Sequence, residues 1–206
     1  MDRWLVHNEV LSPNWNERRL PVWMVVLHYT GMPTAEEALE RLTDAAAEVS
    51  AHYLIDEEGK VTRLVPEDKR AWHAGQAYWR GITDVNSASV GIELVNPGHE
   101  WGYRPFPQAQ MEALIPLLAD IVKRHKIPYA NVVGHSDVAP ARKDDPGELF
   151  DWPLLARYKW PRHIEFWASL PTSAYGKLVK KDIRALYLQR QQELPAEAPL
   201  QAAPKA

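Results

Sequence analysis

Short apolar runs and longer amphipathic stretches alternate along this chain. Val22-Trp23-Met24-Val25-Val26-Leu27 is brief and rich in β-branched residues, the composition of a strand covered on both faces, and it ends at His28. A turn at Gly31-Met32-Pro33 follows. Thr34 is then placed to cap a helix that carries Glu36 and Glu37 in its first turn and continues to about residue 49. Residues 51–55 and 61–65, joined by Glu57-Glu58-Gly59-Lys60, read as a hairpin stopped by Pro66.

Between residues 72 and 89 the periodicity is lost, and the segment is rich in aromatic and polar side chains, including Trp72, His73, Tyr78, Trp79, Arg80 and Asn86. A long irregular segment inside a domain is more often functional than accidental. Strand character returns over 90–95. A helix is expected over 107–125, where Met111, Leu114, Ile115, Leu118, Ile121 and Val122 recur at spacings of three and four. Pro116 lies within it and is expected to kink it, because proline cannot donate to the carbonyl four residues back. A short strand over 131–134 precedes His135, a polar loop rich in Pro and Asp follows, and Trp152 opens a further helical segment. Beyond Pro171, the spacing of Tyr175, Leu178, Val179, Ile183, Leu186 and Tyr187 predicts a C-terminal amphipathic helix within 171–194. The Ala/Pro-rich tail, 195–206, is expected to be disordered. The alternation predicts an α/β domain over 1–170 with a central mixed β-sheet flanked by helices.

The composition of the 206 residues, 46% hydrophobic and 25% charged, is that of a soluble globular protein. A net charge of -3 gives no electrostatic case for nucleic acid or for attachment to anionic lipid. The chain has no cysteine, which excludes disulfides and thiolate metal sites and leaves His, Asp and Glu to hold any metal. The first ten residues mix Asp2, Arg3, His7 and Glu9 with apolar residues and form no secretory signal, and the longest apolar stretch falls far short of the roughly 20 residues of a membrane helix. The expectation is a cytoplasmic protein without a transmembrane segment, with a periplasmic one as the alternative if a signal has been removed.

Three potential ligands, His28, His135 and Asp145, stand just beyond expected strands or in the loops that follow them. Two imidazoles and a carboxylate, with a fourth position left to water, make a catalytic zinc arrangement. Spacing alone does not select them from eight histidines, since a hydrogen-bonded histidine at a strand end and an aspartate in a turn fit the same pattern.

The segment Gly134-His135-Ser136-Asp137-Val138-Ala139-Pro140-Ala141-Arg142-Lys143-Asp144-Asp145-Pro146-Gly147, followed by Phe150-Asp151-Trp152, resembles the signature loop of the type 2 N-acetylmuramoyl-L-alanine amidases. These are the AmpD-like and AmiD-like bacterial enzymes, distant relatives of phage amidases and of animal peptidoglycan recognition proteins. Four further segments resemble the same family in the same order: Val25-Val26-Leu27-His28-Tyr29-Thr30, Val49-Ser50-Ala51-His52-Tyr53-Leu54-Ile55, Ala71-Trp72-His73-Ala74-Gly75 and Ser89-Val90-Gly91-Ile92-Glu93-Leu94.

The resemblance implies an amidase/peptidoglycan-recognition-protein-like fold. The implied reaction is zinc-dependent hydrolysis of the amide between N-acetylmuramic acid, in its ordinary or 1,6-anhydro form, and L-alanine, in peptidoglycan or muropeptides. It makes His28, His135 and Asp145 the ligands of one zinc ion per chain, Glu93 the general base and Lys143 the electrostatic helper. The residue types suit those roles: a carboxylate beside the metal can take the proton of the attacking water, and a cation can meet the charge that develops on the carbonyl oxygen. Phage-type relatives carry a tyrosine near the position of Ala51, so no catalytic role falls there.

His52 is expected to support the site and His73 to form a wall of the substrate groove. Trp72, Trp79, Arg80 and Asn86 are candidates for sugar or peptide contacts, although several of the nine tryptophans must be core. The principal competing reading is a non-catalytic peptidoglycan-binding module on the same fold. A metal-free Ser-His-Asp hydrolase is a weaker one, since no G-x-S-x-G elbow occurs.

Overall fold

The strand read at residues 22–27 lies inside the sheet, paired on both edges by parallel neighbours. In the computed structural model, which describes residues 5–159, it is β3 (Met24–Tyr29), with Met24 to Leu27 fully buried. The other strands are β1 (Asn8–Glu9), β2 (Trp15–Glu17), β4 (Tyr53–Ile55), β5 (Val61–Arg63), β6 (Lys69–Ala71), β7 (Ser89–Leu94) and β8 (Val132–Gly134). Six of them form one sheet in the order β1-β5-β4-β7-β3-β8, while β2 and β6 pair separately. All neighbours in the six-stranded sheet are parallel except the hairpin β4–β5, so the sheet is mixed, as expected. The helices are α1 (Ala35–Thr43), α2 (Val85–Ala88), α3 (Gly98–Trp101), α4 (Gln108–His125), α5 (His135–Val138) and α6 (Trp152–Lys159).

Successive residues of a strand point to opposite faces, and this alternation sorts core from site. Val25 and Leu27 of β3, with Val90, Ile92 and Leu94 of β7, join the apolar stripe of α4 (Met111, Leu114, Leu117, Leu118, Ile121) in the largest core cluster. Met24 and Val26 belong to the opposite cluster, with Ala74, Val85, Val133 and Val138. By the same parity His28 continues that second face on β3, and Ser89, Gly91 and Glu93 occupy it on β7. The register pairs His28 with Glu93.

Helix α1 is capped as expected, with Thr34 Oγ1 accepting from Glu37 N, but it ends at Thr43 rather than near 49. Asp44 takes an extended conformation, its side chain caps a separate 3-10 turn at Ala45–Ala47, and Glu48 is left-handed. Asn14 holds this exit by donating to the carbonyls of Asp44 and Val49. Helix α4 runs from Gln108 to His125 through Pro116. The expected C-terminal helix at 171–194 and the tail at 195–206 lie outside the described residues. No helix among the described residues is long and apolar enough to cross a membrane.

The C-terminal end of α4 is tied to the turn before β6 through Glu67, which accepts hydrogen bonds from Arg124, His125 and Tyr53. Burial alone would raise the Glu67 carboxyl, but these bonds outweigh it and hold the group at about 2 instead of its ordinary 4.5. A depressed carboxyl contributes stability that is present above the unfolded value of 4.5 and is lost as pH falls toward 2; here the contribution is about 3 kcal/mol. Glu67→Gln is therefore expected to be less stable than the wild type near pH 6, with the difference shrinking toward pH 2. Urea unfolding across that range measures it, and a gap independent of pH would contradict it.

Candidate metal and active site

His28 enters the site from β3 and His135 from the first position of α5, immediately after β8. Helix α5 is fixed at its start by Gly134 N donating to the Asp137 carboxylate at 2.7 Å. The loop beyond it turns back until Ser136 N donates to the Asp145 carbonyl at 2.9 Å, which brings Asp145 beside the helix it left. That return requires a glycine at 134, because a β-carbon there would stand 2.6 Å from Pro146 Cδ. Arg142 fastens the same loop across the site by donating to the carbonyls of Ala74 and Gln76 at 2.7 and 2.8 Å.

Three atoms converge. His28 Nδ1 lies 2.9 Å from Asp145 Oδ2, His135 Nδ1 lies 3.1 Å from the same oxygen, and the two nitrogens are 3.0 Å apart. All three residues are buried. His135 Nε2 is 3.0 Å from the Ala74 carbonyl, which can only accept, so neutral His135 carries its hydrogen on Nε2 and turns a bare Nδ1 inward. A lone pair, a second imidazole nitrogen and a carboxylate oxygen thus face one another away from solvent. One proton serves one edge of such a triangle, whereas a divalent cation serves all three. Ligand atoms around a tetrahedral cation with bonds of about 2.0–2.1 Å stand roughly 3.3 Å apart, close to the observed separations. The residues present therefore fit a metal.

The electrostatics follow from burial. Desolvation brings the His28 imidazole down to about 4, keeping it in the neutral form a metal requires, with Asp145 opposing the shift. Burial pushes the Asp145 carboxyl up, but hydrogen bonding to His135 and His28 prevails and holds it well below the ordinary range. Glu93 behaves in the opposite way: burial and the nearby Asp145 charge raise its carboxyl well above 4.5, and Lys143 offsets this only in part. Its Oε2 is buried without a hydrogen-bond partner among the described residues.

A cavity of about 530 Å³ opens over these groups, and His28, His73, Glu93, His135, Lys143 and Asp145 all line it. Of the other residues singled out in the sequence, His52 is buried beneath the site, its Nδ1 accepting from Gly91 N at 2.9 Å. Trp72, Trp79, Arg80 and Asn86 stand outside the lining. Trp72 donates its indole N–H to Asn16, and Trp79 donates to Asn131 with the Arg80 guanidinium over its ring. Asn86 is buried, with Oδ1 accepting from the backbone of His73 and Ala74. The alternation of Ser89-Val90-Gly91-Ile92-Glu93 places Ser89 and Gly91 on the same face as Glu93, positions to which the sequence assigns no role in the site.

With this geometry in place, similarity to known proteins defines the class. The sequence profile of the N-acetylmuramoyl-L-alanine amidases matches residues 18–148, and the chain belongs to that family. It is 44% identical over 153 residues to the N-acetylmuramoyl-L-alanine amidase AmiD of Escherichia coli K12, a match covering 67% of this chain and 54% of AmiD. It is 42% identical over 150 residues to the 1,6-anhydro-N-acetylmuramyl-L-alanine amidase AmpD of Enterobacter cloacae, covering 72% of this chain and 75% of that protein. Among solved structures, the complex of E. coli AmiD with anhydro-N-acetylmuramic acid-L-Ala-D-γ-Glu-L-Lys superposes with a TM-score of 0.62 at 43% identity, covering 67% of this chain and 57% of that one. The chain thus spans about half the length of AmiD.

Proposed function

We propose that this protein is a zinc-dependent N-acetylmuramoyl-L-alanine amidase that hydrolyses the bond between the lactyl carbonyl of N-acetylmuramic acid and L-alanine. The observation that carries the reading is the buried His28–His135–Asp145 triangle with, on the same face of the sheet, a Glu93 carboxylate oxygen that has no partner among the described residues. Two nitrogens and one oxygen are the donor set of a catalytic zinc. When bound, zinc supplies Lewis-acid chemistry, polarising a carbonyl and making water acidic enough to lose a proton near neutrality. His28, His135 and Asp145 would hold it.

Glu93 then takes the proton of the attacking water, a task suited to a carboxyl whose affinity for protons burial has raised. It returns that proton to the L-alanine nitrogen as the amide bond breaks, so the amine leaves neutral. Lys143, which lines the cavity two residues before Asp145, is the cation we assign to the carbonyl oxygen as it becomes negative. Muropeptides are the substrate class we assign, including the 1,6-anhydro form, because a solved structure holds AmiD in complex with an anhydromuramyl peptide as its substrate and the AmpD relative is named for that bond.

The purified protein is expected to carry about one zinc per chain, to lose activity on chelation and to regain it on addition of Zn²⁺. Elemental analysis with assays before and after chelation measures this. Full activity in metal-free protein would refute the reading.

A further inference from the structure

His73 lines the cavity, yet neither of its ring nitrogens is free for substrate. Ser89 Oγ is 2.6 Å from the Val85 carbonyl, which can only accept, so the Ser89 hydroxyl donates there. Its lone pairs are left to face His73 Nε2 at 3.0 Å, and that nitrogen must carry the hydrogen. A neutral imidazole has one N–H, so His73 Nδ1 is bare and accepts from His28 Nε2 at 3.0 Å. His28 in turn presents an unprotonated Nδ1, the atom that meets Asp145 and His135.

We propose that His73 is a positioning residue for the metal site, fixing the tautomer and ring orientation of His28 through the chain His28 Nε2–H to His73 Nδ1, His73 Nε2–H to Ser89 and Ser89 O–H to the Val85 carbonyl. This rests on the reading of His28 as a ligand. Were the hydrogen of His73 on Nδ1 instead, His28 Nε2 could only accept from it, and the hydrogen of His28 would sit on Nδ1, the atom that faces Asp145 and His135.

The His73 ring is held where the chain needs it. It lies against the backbone of β7 at Gly91, where a β-carbon would stand 2.5 Å from His73 Cγ, so a side chain at 91 would displace the ring. The backbone amides of His73 and Ala74 both donate to Asn86 Oδ1, at 3.1 and 2.7 Å. Two consecutive residues of one loop therefore set both imidazoles: the His73 side chain sets His28, and the Ala74 carbonyl sets His135. Outer partners of this kind typically contribute 10–100-fold to metal affinity.

The test uses amide side chains as partial copies of the ring. Asparagine places an acceptor near the position of Nδ1, whereas glutamine reaches toward that of Nε2. His73→Gln and His73→Leu are expected to weaken zinc binding by roughly 10–100-fold in competition with a chromophoric chelator, and His73→Asn to stay within about fivefold of the wild type. His73→Gln binding as tightly as the wild type, or His73→Asn binding as weakly as His73→Leu, would overturn the proposal. If the variants do not fold, ¹⁵N NMR of wild-type imidazoles decides: hydrogen on His73 Nε2 and none on Nδ1 supports the chain, and hydrogen on Nδ1 overturns it. Wild type that takes up no zinc would overturn the metal reading and this proposal with it. Zinc uptake with the wrong His73 tautomer would overturn the proposal alone.

Discussion

Replacing Glu93 by glutamine is expected to lower turnover by roughly 10²–10⁴-fold while leaving zinc content and muropeptide affinity unchanged. Glutamine reproduces the shape of the carboxyl but cannot accept a proton from water. The substitution also separates chemistry from folding. Glu93 is buried, its Oε2 without a partner among the described residues, in surroundings that disfavour its charge, so a neutral isostere relieves rather than adds a desolvation cost. Lys143→Ala is expected to share the phenotype at roughly 10²–10³-fold, the scale of losing one oxyanion donor. Turnover and zinc content measured on the same samples, with affinity by calorimetry, test both. Wild-type turnover in Glu93→Gln would mean that the proton goes elsewhere. Zinc-loaded wild type that binds muropeptide without turnover would replace the enzyme by a recognition module.

Asp145→Ala should act one step earlier, on the metal itself. It removes the only charged member of the triangle and leaves two neutral imidazoles in a buried pocket, 3.0 Å apart at their inward nitrogens. Loss of an outer partner alone typically costs 10–100-fold in affinity, so loss of this ligand is expected to cost more than roughly 100-fold, with activity falling alongside occupancy. Excess Zn²⁺ should restore part of the activity of Asp145→Ala and none of that of Glu93→Gln. Competition titration and elemental analysis provide the readout. Unaltered stoichiometry and affinity in Asp145→Ala would remove that residue from the site.

The strands that carry the chemistry were legible because their patterns are local. Six apolar residues from Val22 announce a strand buried on both faces, and the alternation after Ser89 puts Glu93 on the face opposite Ile92 and Leu94. The convergence of His28 with His135 and Asp145 was not legible from spacing, because it depends on which strands become neighbours, and only the resemblance of the flanking motifs pointed to it. The early end of α1 depends on Asn14, thirty residues away from Asp44, reaching its carbonyl. The partners of Asn86 are equally hidden from local pattern, since its amide oxygen accepts from two backbone donors of a loop twelve and thirteen residues earlier. The contact of Ser89 is likewise absent from its own strand pattern, since its hydroxyl meets a histidine sixteen positions away.

Hydrolysis of the muramyl–L-alanine amide is open to direct test by mass spectrometry of defined muropeptides, anhydro and non-anhydro, after incubation with the zinc-loaded protein. Free stem peptide beginning at L-alanine and an intact muramyl sugar bearing its lactic acid are expected, with one water added across that bond alone. Shortened glycan with the stem peptide still attached, or cleavage between amino acids of the stem, would contradict it.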